Sequence, residues 1–355
     1  MRGKIKSPYQ PKKVCGDRML IEYNGQSIET EFYKELTDAE FESYRNEYYK
    51  KPSFESVKKQ FLDISRGGTT NNLVTDYYVK DLMLKTKMYH CKWSLEDVWN
   101  CKELVSRFYA LTLANEKVYP ITNSVIKNIE TAMRIGGKGV AQKPSNFPLK
   151  TVDYILDRYN VNNNWYDFSC GWGARLTGAL KNNVNYFGTD PNYLLVPRLQ
   201  QLADDYLATI RNDEVVDLFG VNDEQTKVDI RCQGSEEFVA EWEGKIGVAF
   251  SSPPYFYLED YKIGNQSYTE GTTYEQWKSN YLLPTMQNIY RYLVSNGYYI
   301  LNINNFDKYT LVEDCIELAQ SIGFKYKEDA VLDNIKRCTE VGFNDNNERI
   351  MVFTK

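Results

Sequence analysis

Histidine is almost absent from this chain, which has 355 residues and one histidine, His90. A single histidine leaves little possibility of a serine–histidine or cysteine–histidine nucleophile. It also excludes a metal site built from several histidines. The seven cysteines are scattered and form no C-x-x-C pair, so the sequence supports neither a zinc site nor a disulfide framework. We expect no bound metal, and a reducing cytoplasm is the natural setting for such a chain.

Long apolar runs are also missing from the sequence. No stretch of 18 or more apolar residues occurs, which predicts that no helix crosses a membrane. The basic start, MRGKIK, has no apolar core after it, so a signal peptide is not expected. What is present suits a folded chain, because 42% of the residues are hydrophobic and 14% are aromatic, enough to bury a sizeable core.

Charge is distributed unevenly along the chain. Residues 1–150 carry 25 Lys and Arg against 18 Asp and Glu, whereas residues 151–355 carry 18 against 30. The first part is therefore basic by 7 charges and the second part is acidic by 12. A basic half joined to an acidic half predicts that a polyanion is bound mainly by the first half.

The first half has the sequence signals of helices and loops. Capping signals predict helices that begin after Thr37, Ser53 and Ser94, the first with the spacing of a capping box. A last helix is predicted over about 123–135, before a pair of glycines. We predict a basic, mainly helical N-terminal region over residues 1–138 and a second domain over residues 139–355.

Short apolar runs alternate with helical segments in the second half, which is typical of a parallel sheet with right-handed crossovers. Seven strands are predicted, over 165–169, 185–190, 228–233, 246–251, 297–303, 325–331 and 348–354. Helices are predicted over 172–182, 193–211, 236–241, 274–295 and 311–322. Only a loop joins the last two strands, so the last strand should run antiparallel. The predicted fold class is α/β, with a Rossmann-like, seven-stranded, mostly parallel sheet.

Two glycines lie where the first of these strands turns into a helix. Gly171 and Gly173 allow a tight turn and a close approach of the backbone to a ligand. Asp190, at the end of the next strand, is placed to accept hydrogen bonds from ribose hydroxyls. The last glycine of the dinucleotide fingerprint is replaced by Leu176, so no pyrophosphate cradle is predicted. S-adenosylmethionine therefore fits this end of the sheet better than NAD.

A polar side chain after the third strand is expected to meet the adenine amine of such a cofactor. Ser235 or Glu236 could serve, and the same residues fit a helix N-cap equally well. The candidate cofactor contacts from these three loops are Asp167, Ser169, Gly171, Gly173, Asp190 and Ser235.

Two consecutive prolines follow the fourth strand, in the run Ser252-Pro253-Pro254-Tyr255, which we call the S-P-P-Y loop. Proline cannot continue a buried ladder, so the run predicts a rigid loop at the carboxyl edge of the sheet, where ligands bind in such folds. The Ser252 hydroxyl and the Pro253 carbonyl can accept hydrogen bonds from an exocyclic amine and steer its lone pair toward a methyl group. Tyr255 offers a face on which a flipped base can stack. A structural proline turn is the plain alternative.

These motifs resemble those of the amino-methyltransferase family of DNA methylases. That family has a cofactor motif of the form D-P-F-x-G-x-G and a catalytic motif of the form [SDN]-P-P-[YF], which stand here as residues 167–173 and 252–255. The stretch QKPSNFP at 142–148 looks like the family's motif that packs on the methionine end of the cofactor, which adds Lys143 and Phe147 as candidate contacts. The resemblance covers roughly 142–355 and implies the class I methyltransferase fold, with S-adenosylmethionine as cofactor.

The resemblance also implies an acceptor. In the family, serine at the first catalytic position is associated with cytosine N4, and Asp or Asn with adenine N6. The expected reaction is therefore methyl transfer to the amino nitrogen of a flipped base in duplex DNA, with cytosine N4 ahead of adenine N6. The motifs are similar to those of methylases carried by phages and mobile elements. This sequence departs from the family at Trp172 and Arg175, which replace a small residue and a threonine.

Two other functions stay open at this point. RNA or a protein glutamine could be the acceptor, since the same proline-rich loop serves both, usually with asparagine first. The altered cofactor motif would also suit a non-catalytic module that senses the cofactor or inhibits a host system. Transfer to cytosine C5 is disfavoured, because the chain has no Pro-Cys dipeptide to supply the nucleophile.

Target recognition needs a surface outside the two motifs, which are separated by only about 80 residues. One expected place is the basic first half, which begins with five basic side chains among 13 residues. Another is the loop 256–273, where Tyr257, Tyr261, Lys262 and Tyr268 interleave aromatic and basic side chains. The segment 333–347, with Lys336 and Arg337, is a third candidate edge.

Overall fold

The computed structural model describes residues 19–114, 124–136, 139–212, 226–263, 265–330 and 349–355. The basic start of the chain and the segment 333–347 lie outside the described residues, so their roles stay predictions. Clustering of contacts divides the chain into two compact units. The first unit comprises the residues up to Lys51, residues 81–144 and residues 260–262. The second unit comprises residues 52–80, 145–259 and 263–355.

The secondary-structure elements of the described residues are numbered in chain order. The strands are β1 (Met19–Tyr23), β2 (Gln26–Thr30), β3 (Lys87–Met88), β4 (Asn164–Asp167), β5 (Asn185–Thr189), β6 (Val228–Arg231), β7 (Ile246–Ser251), β8 (Glu259–Asp260), β9 (Leu293–Ile303), β10 (Lys325–Asp329) and β11 (Arg349–Thr354). The helices are α1 (Asp38–Tyr49), α2 (Phe54–Ser65), α3 (Asn72–Tyr78), α4 (Lys80–Lys85), α5 (Leu95–Trp99), α6 (Lys102–Ala114), α7 (Val125–Gly136), α8 (Leu149–Tyr159), α9 (Ala174–Lys181), α10 (Val196–Arg211), α11 (Tyr274–Trp277), α12 (Leu283–Tyr292) and α13 (Leu311–Ile322).

The first unit contains a β-hairpin that the sequence interpretation missed. Strands β1 and β2 pair in antiparallel register through a two-residue turn, in which Asn24 has φ 47° and Gly25 has φ 71°. Asparagine followed by glycine favours this mirror-image turn, because both positions need a positive φ. The indole of Trp93 donates to the carbonyl of Tyr23 at 2.9 Å and anchors the hairpin within the unit.

The capping signals predicted in the first half of the chain are confirmed. Thr37 accepts from the backbone of Glu40 while the Glu40 side chain accepts from the backbone of Thr37, which is the reciprocal pair of a capping box. Ser94 caps α5 in the same way, but that helix ends at Trp99 and α6 begins only at Lys102. The single helix predicted after Ser94 is therefore two helices.

Helices α2 and α3 belong to the second unit, although they precede much of the first unit in the chain. The Phe61 ring of α2 meets the Tyr206 ring of α10 edge-on at 5.2 Å. The hydroxyl of Tyr78 donates to Asp205 at 2.7 Å. The predicted domain boundary after residue 138 stays a prediction. The two compact units divide the chain at other residues.

The second unit is built on a seven-stranded sheet with the order β10–β11–β9–β7–β4–β5–β6. Neighbouring strands from β9 to β6 are parallel, whereas β11 is antiparallel to both β9 and β10. The prediction of a mostly parallel sheet with an antiparallel last strand is confirmed. All six residues of β7 are buried, as expected of a central strand with both faces covered.

Two predicted helices of the second half differ from the structure. The helix expected over 236–241 is only a 3₁₀ turn at Ala240–Trp242. The helix expected over 274–295 consists of α11, a π-helical turn at Lys278–Leu282, and α12, which ends at Tyr292. Pro284 lies at the start of α12 and has no N–H to donate into the preceding turn, which fits an interruption there.

No helix among the described residues is long and apolar enough to cross a membrane.

Candidate active site

The loops that follow β4 and β7 are in direct contact in the second unit. Ser169, in the loop after β4, donates from its hydroxyl to the carbonyl of Ser252 at 2.9 Å. The hydroxyl of Ser251, at the end of β7, lies 2.6 Å from the same Ser169 oxygen. Because β4 and β7 are parallel neighbours, their carboxyl ends meet at one edge of the sheet. The predicted cofactor turn and the S-P-P-Y loop therefore form one hydrogen-bonded assembly.

Both glycines of the cofactor turn are required by the backbone. Gly171 has φ 57° and Gly173 has φ 81°, the left-handed region that side chains with a Cβ rarely adopt. A Cβ at Gly173 would also lie 2.9 Å from a methyl carbon of Leu199 in α10. The turn can therefore bring its backbone close to a ligand while α9 packs tightly behind it.

Asp190 lies at the end of β5, next to the cofactor turn. Its carboxylate accepts from the backbone N–H of Gly171 at 3.3 Å and of Asn192 at 3.0 Å. Burial raises the pKa of Asp190 to about 6, although the two hydrogen bonds act to lower this pKa. The carboxylate is thus held rigidly beside Gly171, where it was predicted to meet ribose hydroxyls.

Asp167 takes part in a buried ion pair beneath the cofactor turn. It is fully buried, and Arg175 donates to it from Nε at 2.9 Å and from a terminal nitrogen at 3.2 Å. The hydroxyl of Tyr186 donates to the same carboxylate at 2.8 Å. Both oxygens of Asp167 are therefore engaged within the protein, and its contact with a cofactor stays a prediction.

Arg175 connects the ends of two strands. Besides Asp167, its terminal nitrogen donates to the carbonyl of Ser169 and, at 3.2 Å, to the hydroxyl of Ser251. The guanidinium also lies 5.6 Å from the centre of the Phe147 ring, a cation–π distance. In the sequence, Arg175 stands out only as a departure from the family that the motifs resemble. Its structural role was not predictable, because its partners lie on separate strands.

The aromatic residues near the turn divide into buried and partly exposed ones. Phe168 is 2% exposed and packs in the core against Tyr166 and Tyr299. Trp172 is half-buried, so it remains the aromatic side chain of the turn that a ligand can reach. Phe147 meets Phe250 of β7 edge-on at 5.4 Å, and its contact with the cofactor stays a prediction.

Lys143 belongs to the first unit, where its side chain is exposed, and its proposed cofactor contact stays a prediction.

Ser235 and Glu236 differ sharply in their surroundings. The Ser235 hydroxyl is buried 2.8 Å from that of Thr285, and its carbonyl accepts from Asn288 at 2.9 Å. Glu236 instead keeps one carboxylate oxygen, Oε2, buried with no hydrogen-bond partner in the described part of the chain. Burial also raises the pKa of the Glu236 carboxyl. An unpaired buried oxygen is costly unless a ligand satisfies it, so Glu236 fits an adenine amine better than Ser235 does.

The S-P-P-Y loop is held from the neighbouring strand β9. The Asn302 side chain donates to the Ser252 hydroxyl at 3.2 Å, and the Tyr255 hydroxyl donates to the Asn302 carbonyl at 3.3 Å. Ser252 and Pro254 are half-buried, while Pro253 and Tyr255 are buried, with 9% of Tyr255 exposed. Sequence analysis missed Asn302, since only the register between β7 and β9 places it there.

Phe256 follows the S-P-P-Y loop and anchors it. Its φ of 55° is unusual for a large side chain, and such a conformation persists only when the surroundings hold it. The ring is 3% exposed and lies within 5.7 Å, centre to centre, of Tyr257, Tyr268, Tyr274, Trp277 and Tyr309.

The loop 256–273 is divided between the units. Tyr257 and Tyr268 pack in the second unit, and the Tyr257 hydroxyl donates to Asp307 at 2.7 Å. Residues 260–262 cluster with the first unit, and Lys262 is paired with Asp260 at 2.5 Å. The proposed contact of this loop with nucleic acid stays a prediction.

No family model matches this chain, and no curated protein matches its sequence. Among solved structures, the TehB-like SAM-dependent methyltransferase from Corynebacterium glutamicum is 16% identical with a TM-score of 0.37, over 57% of this chain and 86% of that one. The 1,6-didemethyltoxoflavin-N1-methyltransferase from Burkholderia thailandensis is 11% identical with a TM-score of 0.37, over 58% and 76%. A geranyl diphosphate methyltransferase is 11% identical with a TM-score of 0.34, over 51% and 61%, so the match spans less than two thirds of that chain. These scores are too low to carry a conclusion about fold or activity, and the fold rests on the strand order above.

Proposed function

We propose that this chain transfers the methyl group of S-adenosylmethionine to an exocyclic amino nitrogen of a DNA base, cytosine N4 ahead of adenine N6. The observation that carries the proposal is the hydrogen bond from Ser169 to the Ser252 carbonyl at 2.9 Å. It joins the loop that would hold the cofactor to the loop that would hold the amine.

The residues near the cofactor turn fit S-adenosylmethionine. Asp190 would accept from the ribose hydroxyls, the backbone at Gly171 and Gly173 would lie along the ligand, and Glu236 Oε2 would gain the partner that it lacks. When bound, the cofactor supplies a methyl group on a positively charged sulfur. The protein then needs only to orient an acceptor and to exclude competing water.

The S-P-P-Y loop would orient the acceptor amine. The Ser252 hydroxyl and the Pro253 carbonyl would each accept one N–H of the amine, which turns the nitrogen lone pair away from the base plane and toward the methyl group. After transfer the methylated nitrogen carries a positive charge and releases one of its two protons to water, so no strong base is required. This scheme suits a chain that has one histidine. Stacking of the base on Tyr255 would contribute about 1–3 kcal/mol.

DNA is the proposed acceptor on two grounds. The first 150 residues are basic by 7 charges, which favours a polyanion, and serine at position 252 favours cytosine in the family that the motifs resemble. RNA and protein glutamine are the alternative acceptors. Label transferred to a substrate mixture would be counted after DNase, RNase or protease treatment, and loss with DNase alone is the expected result.

Substitution of Ser252 tests the assignment of the site. We expect Ser252→Ala and Tyr255→Ala to lower methyl transfer from labelled cofactor to DNA by about 100-fold, since each removes a contact to the reacting base. Ser321→Ala, an exposed serine on α13 in the same unit, should transfer at the wild-type rate. Transfer that survives both substitutions would show that the S-P-P-Y loop is not the site.

One observation favours a second candidate, a non-catalytic module. Asp167, the first residue of the cofactor motif, has both oxygens engaged by Arg175 and Tyr186. Calorimetry with S-adenosylmethionine separates the two functions. Absence of binding would favour the module, and binding followed by transfer would exclude it.

A further inference from the structure

The strand beside β7 contributes a residue to the S-P-P-Y loop. Leu301 of β9 is paired with Ser251, the last residue of β7, so Asn302 lies beside the first residue of the loop. The prolines end β7 at this point, whereas β9 continues through the pairing of Asn302 with Ile350 of β11. Asn302 is thus fixed on a paired strand at the place where its neighbour becomes a loop.

Asn302 contacts both ends of that loop. Its side-chain nitrogen lies 3.2 Å from the Ser252 hydroxyl, and its carbonyl accepts from the Tyr255 hydroxyl at 3.3 Å. Asn302 is 2% exposed, whereas Ser252 is half-buried. Burial of a polar side chain costs stability unless its polar atoms make hydrogen bonds, and the donor of Asn302 is directed at the S-P-P-Y loop.

We propose that Asn302 is a positioning residue for methyl transfer, which holds the Ser252 hydroxyl oxygen as an acceptor for the target amine. This inference rests on the proposed function. A serine hydroxyl has one proton and two lone pairs. The Asn302 amide occupies one lone pair and restricts rotation of the Ser252 side chain, and the other lone pair can accept the amine N–H.

The consequence is an effect on the rate of the chemical step rather than on binding. Ser252 needs a fixed direction only when the amine lone pair is aimed at the methyl group, and small misplacements of reacting groups are costly at that stage. The proposed cofactor contacts lie on the loops after β4, β5 and β6 and in the segment 142–148, and they do not include Asn302. Loss of the Asn302 amide should therefore lower kcat and leave cofactor affinity unchanged.

A double-mutant cycle on the full chain tests this coupling, with DNA and labelled S-adenosylmethionine under single-turnover conditions. Asn302→Ala should lower the transfer rate about tenfold, the effect of losing one hydrogen bond of about 1.4 kcal/mol. In the Ser252→Ala background, the same change should have less than about a twofold effect, because its partner is already gone. Asn302→Asp should stay within about threefold of wild type, since burial favours the protonated carboxyl, which can still donate to Ser252.

The controls separate positioning from folding. Asn182→Ala removes a partly buried asparagine at the end of α9, which bonds Asp153 and the Gly178 carbonyl, and it should leave the rate unchanged. Cofactor affinity by calorimetry and thermal unfolding are measured for every variant. If Asn302→Ala does not fold, Asn302→Leu, which has a similar volume, takes its place in the cycle.

Each outcome decides the inference. Equal rate losses in the wild-type and Ser252→Ala backgrounds, or an Asn302→Asp variant as slow as Asn302→Ala, would overturn it while the proposed function stands. A folded wild-type chain that transfers no methyl group to DNA would refute the proposed function, and the inference would fall with it.

Discussion

Asp190 combines two properties that oppose each other. It is one of the most buried carboxyl groups of the site, with 9% of its surface exposed, and it is the residue proposed to bind the ribose hydroxyls, which requires its ionised form. Burial raises its pKa to about 6, and two backbone N–H groups keep it from rising further. The carboxyl therefore changes its charge close to neutral pH, so a binding measurement can detect it.

We predict that cofactor affinity decreases as the pH falls through about 6. Above that pH Asp190 is ionised and accepts both hydroxyls, whereas below it the protonated carboxyl loses acceptor strength. The free protein should show the opposite trend in stability. A folded-state pKa above the usual 3.8 means that ionisation costs stability as the pH rises from about 4 to about 6.

Calorimetric titration with S-adenosylhomocysteine between about pH 5 and pH 8 checks the binding trend. Asp190→Asn should bind weakly at every pH and without this dependence. Wild-type affinity that is constant from about pH 5 to pH 7.5 would mean that Asp190 does not contact the ligand.

Individual residues were predictable where the chemistry is local. Gly171, Gly173 and Asp190 follow from the requirements of a turn and a strand end, and the structure brings them together. The choice between Ser235 and Glu236 was left open by the sequence. It depends on Thr285 and Asn288, which lie 50 and 53 residues away and cover Ser235 only in the folded chain.

At the scale of elements, the Asp167–Arg175 pair joins β4, α9 and β7. The Arg175 side chain is 8% exposed and that of Asp167 is fully buried, so both charges are removed from water and depend on each other. Arg175 also holds Ser169 and Ser251, the residues through which the two loops meet. The pair therefore couples stability of the second unit to the geometry of the site.

We predict that Arg175→Met lowers the free energy of unfolding by about 3–5 kcal/mol, because it leaves the buried Asp167 charge without its cationic partner. Addition of Asp167→Asn should restore part of the loss. Arg158→Met is the matched control, since Arg158 is 55% exposed and lies 3.8 Å from Glu328, where solvent screens the ion pair and its loss should change stability little.

Urea denaturation followed by circular dichroism measures both variants. If Arg175→Met and Arg158→Met destabilise the protein equally, the buried pair does not have the role assigned to it.

Elements were predictable where one pattern dominates. The predicted bounds of α13 and β7 match the structure, because the left-handed Gly323 ends α13 and a continuous apolar run defines β7, both without help from the rest of the chain. The region 274–303 was harder, since a π-helical turn and an early start of β9 depend on packing against the sheet. The β1–β2 hairpin was missed although its Asn24-Gly25 turn is a strong signal, because the first half was interpreted as helices and loops.

For the whole molecule, the order of strands was not predicted, but their number and the antiparallel last strand were, and both are confirmed. Those properties follow from alternation of strands and helices along the chain. The grouping of α2 and α3 with the second unit was not predictable, since it arises from contacts such as Phe61 with Tyr206, which are 145 residues apart. The uneven charge along the chain is the sequence property behind the proposal of a polyanionic substrate.

Mapping of modified bases in DNA from cells that express the chain tests the central claim most directly. Long-read sequencing reports the modified base, the atom and the sequence context together. We predict methylated amino groups, at cytosine N4 ahead of adenine N6, in a defined sequence context, and their loss in cells that express Ser252→Ala at the same level. DNA without amino-methylated bases in the presence of folded, cofactor-binding protein would contradict the account.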